Sequence, residues 1–336
     1  MTPPPSSAAA PRPVAPVIVE FPRTSWQSYG LAGLTRAALR PVADRWPHTP
    51  RGLATVDRIA ARAGRAAGRL HGRRTREHFR TTTIAGIPAL IVRAPAIEAP
   101  ERTVLHFHGG GFVFGNPDMY RDFALRLSVA ARAEVVLFDY RHPPHADVDH
   151  MSADCLNVYR WALEHTAPQR LVTSGDSAGG NLMFGTLATA RDAGLAMPSA
   201  ALAQSAWLDL THRHPRRAPI DAFFSLRFAG RSVRLLRTEE QLPAQVRPLE
   251  LDLRGLPPVL LQVGAEEPLR EANMQMANRL GAQGVSAELQ LWRRQVHVFQ
   301  AFAAMLPEAR AAFAETTVFL NNLAGASAPS TRRSLS

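Results

Sequence analysis

The segment that most restricts how this chain can fold is Leu171-Val172-Thr173-Ser174-Gly175-Asp176-Ser177-Ala178-Gly179-Gly180. An apolar run of strand length enters a Gly-x-Ser-x-Gly turn, and a helical pattern leaves it. So tight a reversal leaves no room for side chains beside the serine, hence glycines at 175 and 179. A strand followed at once by a helix is one βα unit, which closes only by stacking on others around a mostly parallel sheet. The helix beyond Ser177 also turns free N–H groups and the positive end of its dipole toward that serine. The same ten residues therefore set a layered α/β fold and nominate Ser177 as a nucleophile.

The rest of the chain agrees from about residue 81 onward. Short β-rich runs at 89–92, 103–107, 135–140, 171–174, 200–204, 259–263 and 287–292 are predicted as strands. Helical patterns near 119–132, 151–166, 178–194, 268–283 and 298–323 separate them. Residues 25–80 read as helical and broken by Pro41, Pro47 and Pro50, and about 210–250 as an Arg- and Pro-rich helical insertion. Together they are expected to cap the carboxyl edge of an α/β domain spanning 81–324, where ligand sites of such sheets lie. Residues 1–20 and 325–336 are expected to be disordered.

Two further features supply what a serine nucleophile needs. His108-Gly109-Gly110-Gly111-Phe112 directly follows the strand at 103–107, so its backbone can aim several N–H groups at one point. With the N–H of Ala178, those of Gly110 and Gly111 would make a three-donor hole for an oxyanion, each donor worth about 3 kcal/mol. A phosphate-cradling loop would carry Gly-Lys-Ser/Thr, and the chain has no lysine. Downstream, Glu266 and Glu267 follow the strand at 259–263 and His297 follows the last strand, both at the edge that carries Ser177. Serine, then acid, then histidine is the chain order of a triad on this kind of sheet. Position alone leaves Glu267, Glu266 and Asp209 open as the acid. Phe112, Phe114 and Trp207 are the candidate substrate-binding residues, and no metal or cofactor is expected.

Charge needs separate treatment. All 39 basic residues are arginines, and the net charge is +11. Such uniform replacement of lysine points to coding bias more than to nucleic-acid binding, for which no motif is present. One cluster stands out: Arg58, Arg62, Arg65, Arg69 and Arg73, at helical spacing within 51–80, could meet an acidic membrane surface or an acidic protein. Gly64, Gly68 and Gly72 in the same stretch argue against a strong helix. The single cysteine, Cys155, permits no internal disulfide and fits a reducing, cytoplasmic setting.

Over roughly residues 80–323 the sequence resembles the hormone-sensitive-lipase-like (family IV) esterases of the α/β-hydrolase superfamily. The shared marks are His-Gly-Gly-Gly-Phe at 108–112, Asp139-Tyr140-Arg141, Gly-Asp-Ser-Ala-Gly-Gly-Asn at 175–181, Trp207-Leu208-Asp209-Leu210-Thr211 and Gly255-Leu256-Pro257-Pro258. The resemblance implies an α/β-hydrolase fold with a helical cap, hydrolysis of short- to medium-chain esters through an acyl-enzyme, and Glu267 as the acid. The same residues would serve an acyltransferase, an amide deacetylase or a lactone hydrolase, and the scaffold also carries catalytically silent ligand-binding proteins. Three departures are His142-Pro143-Pro144-His145 in place of Leu-Ala-Pro-Glu, Glu267 in place of the commoner Asp, and His297-Val298-Phe299 in place of His-Gly-Phe.

Overall fold

A computed structural model of the chain describes residues 12–69, 78–211, 224–237 and 241–327. Their centre is a nine-stranded sheet in the order β1-β9-β8-β7-β6-β4-β5-β3-β2. The strands are β1 (Val17–Phe21), β2 (Phe79–Ile84), β3 (Ile87–Val92), β4 (Arg102–Phe107), β5 (Ala133–Phe138), β6 (Leu171–Asp176), β7 (Ala200–Gln204), β8 (Val259–Gly264) and β9 (Ala287–Trp292). The β2–β3 and β3–β5 pairs are antiparallel and every other pair is parallel.

The central strands read as unbroken apolar runs because both faces of the sheet are covered. Alternate residues face opposite cores. Leu105, Val136 and Phe138 join one cluster, while Val104, Val135 and Leu137 join the other. Helices α5 (Val148–His165), α6 (Ser177–Asp192) and α8 (Arg270–Ala282) cover the first face. Helices α4 (Arg121–Ala131) and α9 (Pro307–Ser327) cover the second.

The cap comes from two places in the chain. Helices α1 (Trp26–Leu34), α2 (Arg40–Arg45) and α3 (Pro50–Arg69) precede the sheet core, and α7 (Leu226–Leu236) comes from the insertion. They meet where the Ser225 hydroxyl bonds Asp44 and Arg231 donates to the Ala43 carbonyl at 3.1 Å. Ser25 caps α1 and donates to Glu308 at the start of α9 at 2.9 Å. The cap is thereby tied to both the insertion and the sheet domain.

Four sequence expectations change. Residues 17–20 are not disordered: they belong to β1, whose short apolar run Val17-Ile18-Val19 was hidden in Pro- and Ala-rich surroundings. β1 satisfies the edge of β9, and the Phe21 ring stacks on Trp292 at 3.8 Å. At the other end α9 continues through 325–327; residues 12–16 lead into β1, with the Val14 N–H donating to the Gly281 carbonyl at 2.8 Å, and the expectations for 1–11 and 328–336 lie outside the described residues. The helix expected at 298–323 is divided into a 3-10 turn (Phe299–Phe302) and α9, with Pro307 opening the latter. Finally, the glycines of α3 do not weaken it but seat it. A Cβ on Gly64 would lie 2.1 Å from the Asp118 carbonyl oxygen, so only glycine lets the helix pack this close. Gly72 and Arg73 lie outside the described residues, and the helical reading of 25–80 stops short of Phe79 and Arg80, which belong to β2.

Candidate active site

Five strand ends deliver the site, because all five strands run parallel: β4 leads to the glycine loop, β6 to Ser177, β7 to Ser205, β8 to Glu267 and β9 to His297. At the end of β6 the chain reverses so abruptly that Ser177 takes φ +50°, a strained value for a residue with a Cβ. The strain lifts its side chain clear of both strand and helix. A Cβ on Gly179 would lie 2.0 Å from the Phe107 carbonyl oxygen, so glycine there lets α6 begin directly beside β4.

Ser177, His297 and Glu267 are brought into one chain of hydrogen bonds. The Ser177 Oγ lies 2.8 Å from His297 Nε2, and His297 Nδ1 lies 2.9 Å from Glu267 Oε2. A carboxylate only accepts, so Nδ1 carries the proton and Nε2 is the acceptor that faces Ser177. Glu267 is fully buried, and its second oxygen, Oε1, accepts from the Gly264 N–H at 2.7 Å and from the Ser205 hydroxyl at 2.7 Å. The other two acid candidates are engaged elsewhere: Glu266 accepts from the Arg294 N–H at 2.6 Å, and Asp209 holds the Thr211 N–H at 2.8 Å.

The glycine loop is built to leave donors free. The Gly110 carbonyl accepts from the N–H groups of Val113 and Phe114, both at 3.1 Å, which folds the loop back on itself. Gly109 N–H is consumed by Tyr120 Oη at 2.8 Å and Asp176 Oδ1 at 2.9 Å. The N–H groups of Gly110 and Gly111 donate to no group among the described residues. Ala178 is the second residue of α6, where an N–H has no acceptor within the helix. His108 is held neutral, since burial pushes its pKa down to about 3, and its Nδ1–H donates to the Gly109 carbonyl at 2.8 Å. The Tyr140 ring stacks on it at 4.1 Å, and the Tyr140 hydroxyl donates to the His108 carbonyl at 2.7 Å. The altered segment at 140–145 still anchors itself here, through Arg141, which grips Asp154 at 2.9 and 2.6 Å.

The three aromatic candidates are placed differently from one another. Phe112 and Trp207 are fully buried with their rings 5.4 Å apart, so they shape the wall from behind and offer a ligand no surface. Phe114 meets Phe228 of α7 edge-on. Residues that sequence reasoning missed stand closer to the chemistry. Phe224 packs against the His297 ring at 5.0 Å, and a Cβ on Gly111 would lie 2.8 Å from the Phe228 ring. Ser205 links Glu267 to the loop that carries His297, accepting from the Val298 N–H at 3.1 Å while donating to Glu267. Its position just past β7, at the same edge as Ser177, was the one signal available for it.

No group of three or more candidate metal ligands occurs among the described residues, and no helix among them is long and apolar enough to cross a membrane.

The chain is similar to known proteins in sequence and in fold. The sequence profile of a family described as alpha/beta hydrolase fold matches residues 104–301. An acetyl-hydrolase of Streptomyces hygroscopicus is 34% identical over 232 residues, covering 67% of this chain and 77% of that protein. The carboxylesterase/phospholipase LipF of Mycobacterium tuberculosis is 30% identical over 256 residues, covering 72% and 68%. Among solved structures, EstE5 soaked with p-nitrophenyl butyrate superposes with a TM-score of 0.78 at 29% identity, over 89% of this chain and 99% of that one. An esterase from the bacterial hormone-sensitive lipase family gives 0.77 at 28% identity, over 90% and 99%. The chain belongs to the α/β-hydrolase fold family, among its hormone-sensitive-lipase-like carboxylesterases.

Proposed function

We propose that this chain hydrolyses short- to medium-chain carboxylic esters through an acyl-enzyme formed on Ser177. The observation that carries the reading is the unbroken path from Ser177 Oγ through His297 to a fully buried Glu267. Nε2 takes the serine proton as Oγ attacks the ester carbonyl, and the imidazolium so formed is held by the carboxylate on Nδ1. The tetrahedral oxyanion is received by the N–H groups of Gly110, Gly111 and Ala178, which are already oriented before substrate arrives. His297 then protonates the leaving alcohol and repeats the cycle with water, releasing the acid. No step calls on a cofactor.

Phe224 and Phe228 favour a short acyl group, because they bring bulky rings against the base and the glycine loop. Ser177→Ala should abolish turnover of p-nitrophenyl acetate and butyrate while leaving the melting temperature close to that of the parent. An organophosphonate should label the parent protein at Ser177 and leave the variant untouched. Unchanged turnover in Ser177→Ala, or labelling at another residue, refutes the assignment.

A further inference from the structure

Exposed apolar side chains are unevenly distributed in this molecule. Six of the thirteen large ones among the described residues, Trp26, Tyr29, Leu34, Leu39, Val42 and Ile59, lie in the N-terminal part of the cap. Trp26, at 78% exposure, is the most open of them. On α1, Trp26, Tyr29 and Leu34 share one face, and Gly30 and Gly33 on that face have nothing within 4 Å of a built Cβ. A monomer gains nothing by leaving a tryptophan, a tyrosine and four aliphatic side chains in water.

The same part of the cap is strongly basic. Residues 26–69 hold eight arginines and two acids, Asp44 and Asp57. Both acids are occupied within the protein: Asp44 accepts from Ser225, and Asp57 accepts from the Gly115 N–H at 2.6 Å. Arg65 is paired with Asp118. By contrast Arg51, Arg58, Arg62 and Arg69 are exposed, have no acidic partner among the described residues, and recur at spacings of seven, four and seven along α3. That spacing sets them in one stripe, where like charges four apart weaken an isolated helix. The arrangement calls for a counter-charge from outside.

We propose that the outer surface of the N-terminal cap, formed by α1, α2 and the arginine stripe of α3, docks on an anionic phospholipid surface. Phosphate headgroups supply the missing counter-charge, and the aromatic and aliphatic side chains enter the interfacial layer, where tryptophan and tyrosine partition best. A second copy of this chain, meeting face to face about a two-fold axis, would set arginine stripe against arginine stripe. A nucleic acid would satisfy the arginines but offers nothing to Leu34, Leu39, Val42 or Ile59. The helices that carry this face also reach toward the site from their inner side. His48, just before α3, contacts Phe228 at 4.7 Å between ring centres, and α1 is bonded through Ser28 to Gln295, two residues before His297. Docking goes beyond the proposed hydrolysis and does not depend on it.

The test is sedimentation of the full chain with vesicles of phosphatidylglycerol mixed with phosphatidylcholine, against phosphatidylcholine alone. Binding to the anionic vesicles is expected at about 0.1 M salt and release at several times that. Changing Arg51, Arg58, Arg62 and Arg69 to Gln should weaken it by at least about 100-fold, given roughly fivefold per arginine. Trp26→Ser with Tyr29→Ser should weaken it by about tenfold. Both variants should keep the parent's turnover of a water-soluble ester, which shows that they are folded. The proposal is overturned if anionic vesicles fail to pull down the parent protein, or if either variant binds them as the parent does. It is equally overturned if the stripe variant loses only self-association or duplex DNA binding.

Discussion

Glu267→Gln tests the catalytic reading more sharply than removal of the acid would, because it changes the pattern of protons and almost nothing else. The Oε1 position of Glu267 receives two donors, the Gly264 N–H and the Ser205 hydroxyl, each at 2.7 Å. A glutamine in the same rotamer must place its carbonyl oxygen there, since an NH2 would face an N–H that cannot accept. Its NH2 group then faces His297 Nδ1 at about the present 2.9 Å and can only donate. Nδ1 is forced to accept, the ring proton moves to Nε2, and the nitrogen facing Ser177 can no longer take the serine proton. A wrong tautomer in a serine triad costs about 10⁴-fold in kcat, about 5 kcal/mol of transition-state stabilisation. The fold should survive, because the Gly264 N–H and the Ser205 hydroxyl keep their acceptor and at most the second amide N–H of the glutamine goes unpaired. Steady-state hydrolysis of p-nitrophenyl acetate gives kcat and KM, and thermal unfolding gives the control. The expected result is a kcat reduced by three to four orders of magnitude, roughly, with KM and melting temperature near the parent's. A variant keeping more than about one tenth of the parent's kcat would refute the claim that Glu267 sets the tautomer of His297.

Three further expectations follow from the same contacts. Ser205→Ala orphans the buried Val298 N–H and removes one donor from Glu267, so it should cost about 2–4 kcal/mol of stability and lower kcat/KM by about 10- to 100-fold, measured by denaturant unfolding and ester turnover. Phe228→Ala should raise the kcat/KM for octanoyl over acetyl esters at least about tenfold, read from a panel of p-nitrophenyl esters; an unchanged ratio would show that the ring does not limit acyl length. Asp139 has its pKa raised to about 6, chiefly by burial, with Asp57 and Asp118 adding to the rise and His142 opposing it. Between pH about 4 and about 6 the folded protein therefore keeps a proton that the unfolded chain releases, and stability falls as pH rises through that window by at most about 3 kcal/mol. Asp139→Asn should consequently melt higher than the parent at about pH 8, with the advantage shrinking toward about pH 4.

Much of this molecule was legible locally. The seven strands of the core announced themselves as apolar runs because helices cover both sides of the sheet, as Val104 and Leu105 show by facing different cores. β1 was not legible, since five residues in Pro- and Ala-rich surroundings become a strand only when β9 offers an edge. The seating of α3 was misread for a related reason. Propensity counts Gly64 and Gly68 as losses, whereas the close approach of α3 to Asp118 and Arg121 makes them the positions that allow packing. Aromatic type alone suggested Phe112 and Trp207 as ligand contacts, but burial leaves them no surface, while Phe224 and Phe228 of the insertion reach the site.

By itself the sequence determined everything that depends on neighbours along the chain. Gly175 and Gly179 force the turn that strains Ser177, three glycines free the N–H groups after β4, and strand ends put serine, acid and histidine on one edge. Only the tertiary structure decided which carboxylate faces His297, because Glu266 and Glu267 differ by one step along a loop. That step turns one side chain toward Arg294 and the other toward His297. It also decided that Ser205, 62 residues from Glu267, completes the arrangement. Hydrogen-bond geometry acts across space over a few ångströms, and nothing in residue type or spacing encodes such a distance until the sheet has brought its strand ends together.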